Sequence, residues 1–361
     1  MTADGKPVRS GRPDAVSREI GSEFEWIDPS LLDGKGDQLP WDENGVTYLQ
    51  SGRQVMHAVA QLLWNRGYRD VLLPGFLCES MLEPFQSLPW QLHYVRYDRS
   101  LRPIVASMEE LLHGRQSTTV VLAANYFGNQ WADDFCRSLE EARADGAFVF
   151  EDATHSSFSA PHSVANTSFA SLRKTLPVPD GAYVCGELTA QVRALAKPPV
   201  PHRRHIIMKQ KRRLVDLGES SQSLLHDFRS ANARLESRLE PHLASPESLD
   251  VMRRLDFAEM SARREQNDRV LRSEIEAYGG LEIVAPGLGV IPSHLVVRAS
   301  NARRVQAALA AKQIYAPIHW PRPRNMTWAE WPEDLISLPI DHRYTESDMR
   351  RVASELRRVQ K

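Results

Sequence analysis

Phe169-Ala170-Ser171-Leu172-Arg173-Lys174-Thr175-Leu176-Pro177-Val178-Pro179-Asp180-Gly181 is the stretch on which the reading of this chain turns. Two prolines and a Pro-Asp-Gly turn follow Lys174 and stop any helix from continuing through it. Shortly before it comes Phe148-Val149-Phe150-Glu151-Asp152-Ala153-Thr154-His155, an apolar strand that ends abruptly in acidic and polar residues. In an open parallel sheet the carboxyl ends of the strands face the ligand crevice, which would place Asp152 and His155 there. The spacing therefore predicts a carboxylate, a histidine, Ser171 and Lys174 around one pocket.

Strands and helices alternate on the amino-terminal side. Val46–Gln50 reads as a strand, and Gln54–Trp64 carries apolar residues at helical spacing, with Gly67 as its stop. Strands are expected at 71–73, 92–95, 119–123 and 147–151, with helices at about 78–86 and 131–144 between them. Such alternation implies right-handed crossovers and a mostly parallel sheet between helices, an α/β large domain. Another strand is expected at 183–185. Beyond it, 187–196, 214–238 and 247–278 read as helices. The remainder reads as a smaller C-terminal α+β domain, with strands near 281–284 and 294–299 and helices at 302–312 and from about 346. The division expected is a loose tail over 1–22, a large domain over 23–240 and a small domain over 241–361.

With 361 residues the chain is long enough for two domains and ample core. A net charge of −1 gives no reason to expect nucleic acid or a membrane surface as partner. Three cysteines without metal-ligand spacing suit a reducing compartment, so no metal is expected. No apolar run reaches membrane-spanning length, and a cytoplasmic location is the expectation.

Each candidate has an ordinary alternative. A lone lysine is usually a solvated charge, but Lys174 follows Ser171 and precedes a turn between apolar segments, where partial burial would favour a neutral amine. Asp152 could be a helix N-cap, and His155 a satisfied loop residue. Ser51-Gly52-Arg53 opens a helix; small residues there let backbone N–H groups approach a phosphate, helped by the helix dipole. The basic run His202–Arg213 reads as a solvated helix face or a subunit edge. An amine, an acid to face a ring nitrogen and donors for a phosphate are what pyridoxal 5'-phosphate chemistry requires.

In order along the chain, Ser51-Gly52, Glu151–His155, Ser171-x-x-Lys174 with Pro179-Asp180-Gly181, Ala316-Pro317-Ile318-His319 and Leu338-Pro339-Ile340-Asp341 form one set. This set resembles the DegT/DnrJ-type sugar aminotransferase family, fold type I of the pyridoxal phosphate enzymes, from about residue 48 to the C-terminus. The resemblance implies that Lys174 carries the cofactor covalently, that Asp152 faces the pyridine nitrogen and that His155 lies near the ring hydroxyl. Ser171 and the backbone of Ser51, Gly52 and Arg53 would hold the phosphate. It also implies a homodimer, with an amino donor and a keto acceptor as small-molecule partners. Four departures stand out. Arg53 replaces the usual threonine, no Asn-x-Arg element follows Lys174, no aromatic is placed over the ring near Phe76–Cys78, and the Ser171–Lys174 spacing is shorter than the usual pattern.

The function expected is amino transfer from an amino acid to a keto acceptor, with a nucleotide-linked keto sugar in a biosynthetic pathway as the finer reading. Dehydration, decarboxylation or racemisation on the same cofactor is one alternative. A non-catalytic binding or regulatory homologue is the other. For substrate contact the candidates are His319, Arg322 and Arg324, in the proline-rich stretch 317–325. Prolines hold that stretch extended, which points the two arginines to one side.

Overall fold

The structure, a computed structural model, describes residues 18–32, 39–42, 45–128, 130–284, 291–323 and 331–360. Seven strands form the main sheet: β1 (Val46–Leu49), β2 (Asp70–Pro74), β3 (Gln91–Val95), β4 (Thr119–Ala124), β5 (Phe148–Asp152), β6 (Thr167–Ala170) and β7 (Ala182–Gly186). Their order is β1-β7-β6-β5-β4-β2-β3. Strands β2 to β6 pair in parallel, whereas β7 runs antiparallel to both β6 and β1.

The helices are α1 (Gly52–Asn65), α2 (Glu83–Gln86), α3 (Val105–Leu112), α4 (Asp133–Ala144), α5 (Thr189–Leu195), α6 (Arg204–Asp216), α7 (Leu225–Glu236), α8 (Pro246–Arg254), α9 (Phe257–Tyr278), α10 (Ala302–Ala310) and α11 (Glu346–Gln360). Two helical layers cover the sheet, and the strand period of two shows which residue serves which. Val120 and Leu122 pack with Val55 and Val59 of α1, whereas Val121 and Ala123 pack with Met108 of α3 and Leu139 of α4. Each Val or Leu so enclosed contributes about 1.5–3 kcal/mol of transfer free energy, which accounts for the near-continuous apolar runs of these strands.

A second sheet, order β10-β9-β8, joins β8 (Ile283–Val284), β9 (His294–Arg298) and β10 (Leu335–Pro339), all antiparallel. One face packs on α9, α10 and α11 through Leu271, Leu309 and Val352. The other face contributes Val284, Val296 and Leu335 to the core that contains Phe76 and Tyr126. The small sheet thus delivers the segment 317–320 to the carboxyl edge of the large one.

Several expectations change in detail. The helix expected over 247–278 is two, because Asp256 accepts the N–H of Glu259 at 2.8 Å and starts α9 afresh. The one expected over 214–238 is also two, since Gly218 at φ 71° ends α6. Strand β6, four residues long, and helix α3 were not anticipated. Residues 78–86 form a 3₁₀ turn at Glu79–Met81 and the short α2, with Pro84 in the way of a longer helix. Residues 1–17 of the expected loose tail lie outside the described residues. Ile20 in the rest of it is fully buried in the small core and exchanges backbone hydrogen bonds with Gln313 and Tyr315. In α8 and the start of α9, Val251, Met252 and Met260 pack in the core of Trp41 and Tyr183, so packing changes over inside α9 and not at residue 240.

The basic run is not simply a solvated face. Arg204 is buried, donates to Asn232 and the carbonyls of Val178 and Pro179, and lies 2.7 Å from Glu23. Lys211 is buried too, donating to Ser22 Oγ at 2.8 Å and to the Glu23 carbonyl. Pushed down to about 8, chiefly by burial and then by Arg343, it is an internal anchor for the segment 19–25. Among the described residues no helix is long and apolar enough to cross a membrane.

Candidate active site

At the carboxyl ends of β4, β5 and β6 lies a cavity of about 290 Å³, and it brings together Ser51, Gly52, Arg53, Asp152, His155, Ser171 and Lys174. All seven cofactor-site candidates from the sequence therefore face one space. Ser51 caps α1 by accepting the N–H of Gln54 at 3.3 Å, so the N–H groups of Gly52 and Arg53 have no partner within the helix. A Cβ on Gly52 would stand 3.1 Å from the Phe169 ring and 3.2 Å from Ser171 Cβ. The absence of a side chain lets α1 start directly against the Lys174 turn.

Two loops converge through Thr154. Asp152 Oδ1 accepts the Thr154 N–H at 2.9 Å, and Thr154 Oγ1 accepts the N–H of Ser171 at 3.0 Å. The β5 end is thereby tied to the turn Leu172–Lys174, a 3₁₀ turn closed by the N–H of Thr175 on the Leu172 carbonyl. Burial raises the Asp152 carboxyl above its ordinary range; the Thr154 hydrogen bond and the nearby Lys174 charge pull the other way. Lys174 itself is exposed, contrary to the partial burial expected, because two cavities open on either side of it.

His155 is buried, stacked on Phe127 with centroids 4.7 Å apart and on Trp320 at 5.5 Å. Burial, then the charge of Lys174, holds it well below the usual histidine range, so it is neutral. Among the described residues its Nδ1 has no hydrogen-bond partner, nor have Asn125 Oδ1 and Tyr126 OH of residues that line the same cavity. Asn125 and Tyr126 were visible only as polar and aromatic residues after a strand. That Asn-Tyr-Phe-Gly segment carries a second sign in Phe127, held at φ 54° beside the site.

Arg53 turns sideways: its Nη1 donates to the Glu236 carbonyl at 2.7 Å and lies 2.6 Å from Glu83. Glu236, the last residue of α7, also holds Arg173, with Nη2 to Oε1 at 2.5 Å. Neither Arg173 nor Glu236 was singled out from the sequence, since nothing local marks an ion pair 63 positions apart.

On the far side of Lys174 a second cavity of about 260 Å³ is lined by His294, His319, Arg264 and Arg343 as well as His155. His319 Nδ1 lies 2.8 Å from Ser337 Oγ, and burial, then His294, lowers it well below the usual range. His294 is pushed down to about 4 by burial and then by Arg264. These imidazoles are neutral, so the charge of this cavity comes from Lys174 and its arginines, offset by Glu23 and by Asp341, which pairs with Arg343. A third, wider space of about 1050 Å³ lies beyond Trp320, between Phe76, Tyr97, Trp331 and several arginines that include Arg322. Arg324 lies outside the described residues. Of the substrate candidates, then, His319 adjoins Lys174 and Arg322 does not.

No protein-family model matches the chain, and no curated protein does. Solved structures with the same fold include the aminotransferase TlmJ from Streptoalloteichus hindustanus, with a TM-score of 0.59, 16% identity and coverage of 87% of this chain and 85% of that one. DesV of S. venezuelae aligns with a TM-score of 0.61 at 16% identity, covering 93% of this chain and 91% of its own. A putative sugar aminotransferase, Spr1654 from Streptococcus pneumoniae in its PMP form, gives 0.62 at 12% identity, with coverage of 94% and 92%. The chain has the fold of these proteins, the expected fold type I.

Proposed function

We propose that the chain is a pyridoxal phosphate-dependent aminotransferase of the DegT/DnrJ type, acting on an amino acid donor and a keto acceptor. The observation that carries this reading is Asp152 and Lys174 on one cavity whose wall is the N-terminus of α1. The residues fit the cofactor: the Gly52 cradle and the unpartnered N–H groups suit a phosphate. The orphaned Asn125 Oδ1, Tyr126 OH and His155 Nδ1 are polar atoms that a polar ring can satisfy. When bound, the cofactor supplies an electron sink for the donor's α-carbon.

The chain's own residues do the rest. The backbone N–H groups of Gly52 and Arg53 with Ser171 would hold the phosphate, and the Asp152 carboxylate would orient the ring and keep its nitrogen protonated. Neutral His155, stacked on Phe127 and Trp320, would meet the ring without adding charge. Lys174 Nζ, facing both cavities, would take the proton from the donor's α-carbon and deliver it to the cofactor carbon on the other side of the shared nitrogen. The cavity beside Lys174 that holds Arg264 offers a guanidinium to a small acid. The wide space past Trp320 combines aromatic faces with arginines, which suits a bulky acceptor such as a nucleotide-linked keto sugar from a biosynthetic route. A cytoplasmic homodimer completes the reading.

Purified protein should be yellow, and glutamate or glutamine should shift its absorption. Borohydride reduction followed by peptide mapping should put the label on Lys174. A colourless protein even after cofactor is added, or label on another lysine, would overturn the proposal.

A further inference from the structure

We infer that Arg173, positioned by Glu236, is a second-charge clamp for the cofactor phosphate, supplied by the same chain that carries Lys174. This rests on the cofactor reading above and adds to it a residue outside the cofactor set drawn from the sequence.

The geometry converges on one residue. Glu236 ends α7, and its backbone carbonyl takes Arg53 while its carboxylate takes Arg173. Both guanidinium groups are therefore held at the end of the cavity where α1 begins and where Ser171, two residues before Arg173, also lies. Arg53 has less to offer a ligand, because its Nη1 already serves both Glu236 and Glu83. Arg173 uses Nη2 for Glu236, and its buried Nε has no partner among the described residues. Only 11% of the Arg173 side chain is exposed, so water satisfies that N–H poorly.

Charge points the same way. Arg53, Arg173 and Lys174 face three carboxylates, Asp152, Glu83 and Glu236, so the side chains balance and the positive surplus is the N-terminus of α1. That helix start carries about half a charge. A phosphate monoester carries about −1.5 to −2 near neutrality, so it gains more from that helix end and a fixed guanidinium than a carboxylate does. A guanidinium presents several donors in a plane, and one ion pair with Glu236 fixes that plane without exhausting it. The alternative is that Arg173 merely ties α7 to the Lys174 turn. Such a tie would affect stability, and it would not distinguish a phosphorylated ligand from its dephosphorylated form.

The experiment uses the full chain stripped of cofactor with hydroxylamine and titrated, by absorbance, with pyridoxal phosphate and with pyridoxal. Arg173→Gln should raise the Kd for pyridoxal phosphate about tenfold or more and leave that for pyridoxal within about twofold. Arg173→Lys, which keeps the charge and the tie to Glu236, should raise the phosphate form's Kd several-fold and serves if the glutamine variant does not fold. An unchanged ratio of the two Kd values in either folded variant overturns the clamp. So does an equal weakening of both ligands, which would mean that Arg173 acts through the turn. Wild-type protein that binds neither ligand would remove the cofactor reading itself, and the clamp with it.

Discussion

Asp152 and Asp180 sit at two ends of the same structure, a strand and the turn that follows its neighbour, and they are treated in opposite ways. Asp180 is completely buried, yet its carboxylate takes Gln50 Nε2 at 3.0 Å, His202 Nε2 at 2.9 Å, the Ser245 N–H and hydroxyl, and the hydroxyl of Ser248. Burial alone would push its carboxyl up, but His202, Ser248 and Ser245 outweigh that and hold it below the ordinary range. Asp152 has one recorded partner, Thr154, and burial wins, raising it. The first aspartate is spent on holding α8 and the Pro179–Gly181 turn to β1. The second is left under-satisfied, as are Asn125, Tyr126 and His155 around it. What separates the two ends is the number of donors on the carboxylate, five at Asp180 against one at Asp152, since Gln50 Oε1 and His202 Nδ1 beside Asp180 also lack partners among the described residues.

Lys174→Ala breaks this comparison most severely. Turnover should fall by roughly 10³-fold or more, since in the proposed function one amine would both carry the cofactor and move the proton. The melting temperature should stay put, because Lys174 is exposed and supports nothing. A variant that retained activity, or lost its fold, would invert the assignment of the two ends.

Asp180→Ala should do the reverse. Leaving His202, Gln50, Ser245 and Ser248 facing an empty place should cost about 3–5 kcal/mol in denaturant unfolding. The pH dependence has a definite sign. A carboxyl whose folded pKa lies below its unfolded value of about 3.9 stabilises above that value, and the benefit disappears as pH falls through the folded pKa. Wild-type stability should therefore drop below about pH 4, and the variant should show a shallower acid limb. Equal acid limbs would mean that another carboxylate, such as Asp341 beside Arg343, dominates.

Asp152→Asn is the sharper test because stability and activity should part company. With its raised pKa, the ionised carboxylate works against the fold above its unfolded pKa, so the amide should unfold up to about 1 kcal/mol later in cofactor-free protein. Activity should fall about 10²-fold while the cofactor is retained, because the phosphate contacts at Gly52 and Ser171 are untouched. Wild-type turnover in this variant would show that Asp152 is not the ring partner.

What was legible in the sequence follows from how local each signal is. The strands β2, β4 and β5 announced themselves because burial on both faces makes a continuous apolar run, as at Thr119–Ala124. Asp152 and Lys174 could be read because each stands at a strand end or turn that proline and polar residues mark. Strand β6 has four residues, two of them Ser or Thr, and takes its identity from Phe150, Glu151 and Asp152 beside it. The burial of Arg204 and Lys211 was invisible for a similar reason. Their partners, Glu23 and Ser22, lie more than 180 positions away in a segment without periodicity. Arg173 and Glu236 belong to the same class: the chemistry is in the pairing, and the pairing is tertiary.

Arg322→Gln should have the smallest effect, and it bears on where the bulky acceptor would lie. The sequence grouped His319, Arg322 and Arg324 as one substrate element, but the structure separates the two that it describes. His319 lines the cavity beside Lys174, whereas Arg322 lines the wide space beyond Trp320. About a third of its side chain is exposed, and its contact with Glu333 is loose at 3.9 Å. An exposed pair of this kind contributes little to folding, so the melting temperature should not move. If the wide space receives the acceptor's anionic part, the KM for the acceptor should rise about three- to tenfold, which is what losing one partly screened charge contact gives. The KM for the amino donor should remain as it was, since the donor would lie on the Arg264 side of Lys174. A change in the donor KM with none in the acceptor KM would exchange the two cavities. No change in either would return Arg322 to the solvent-facing charges.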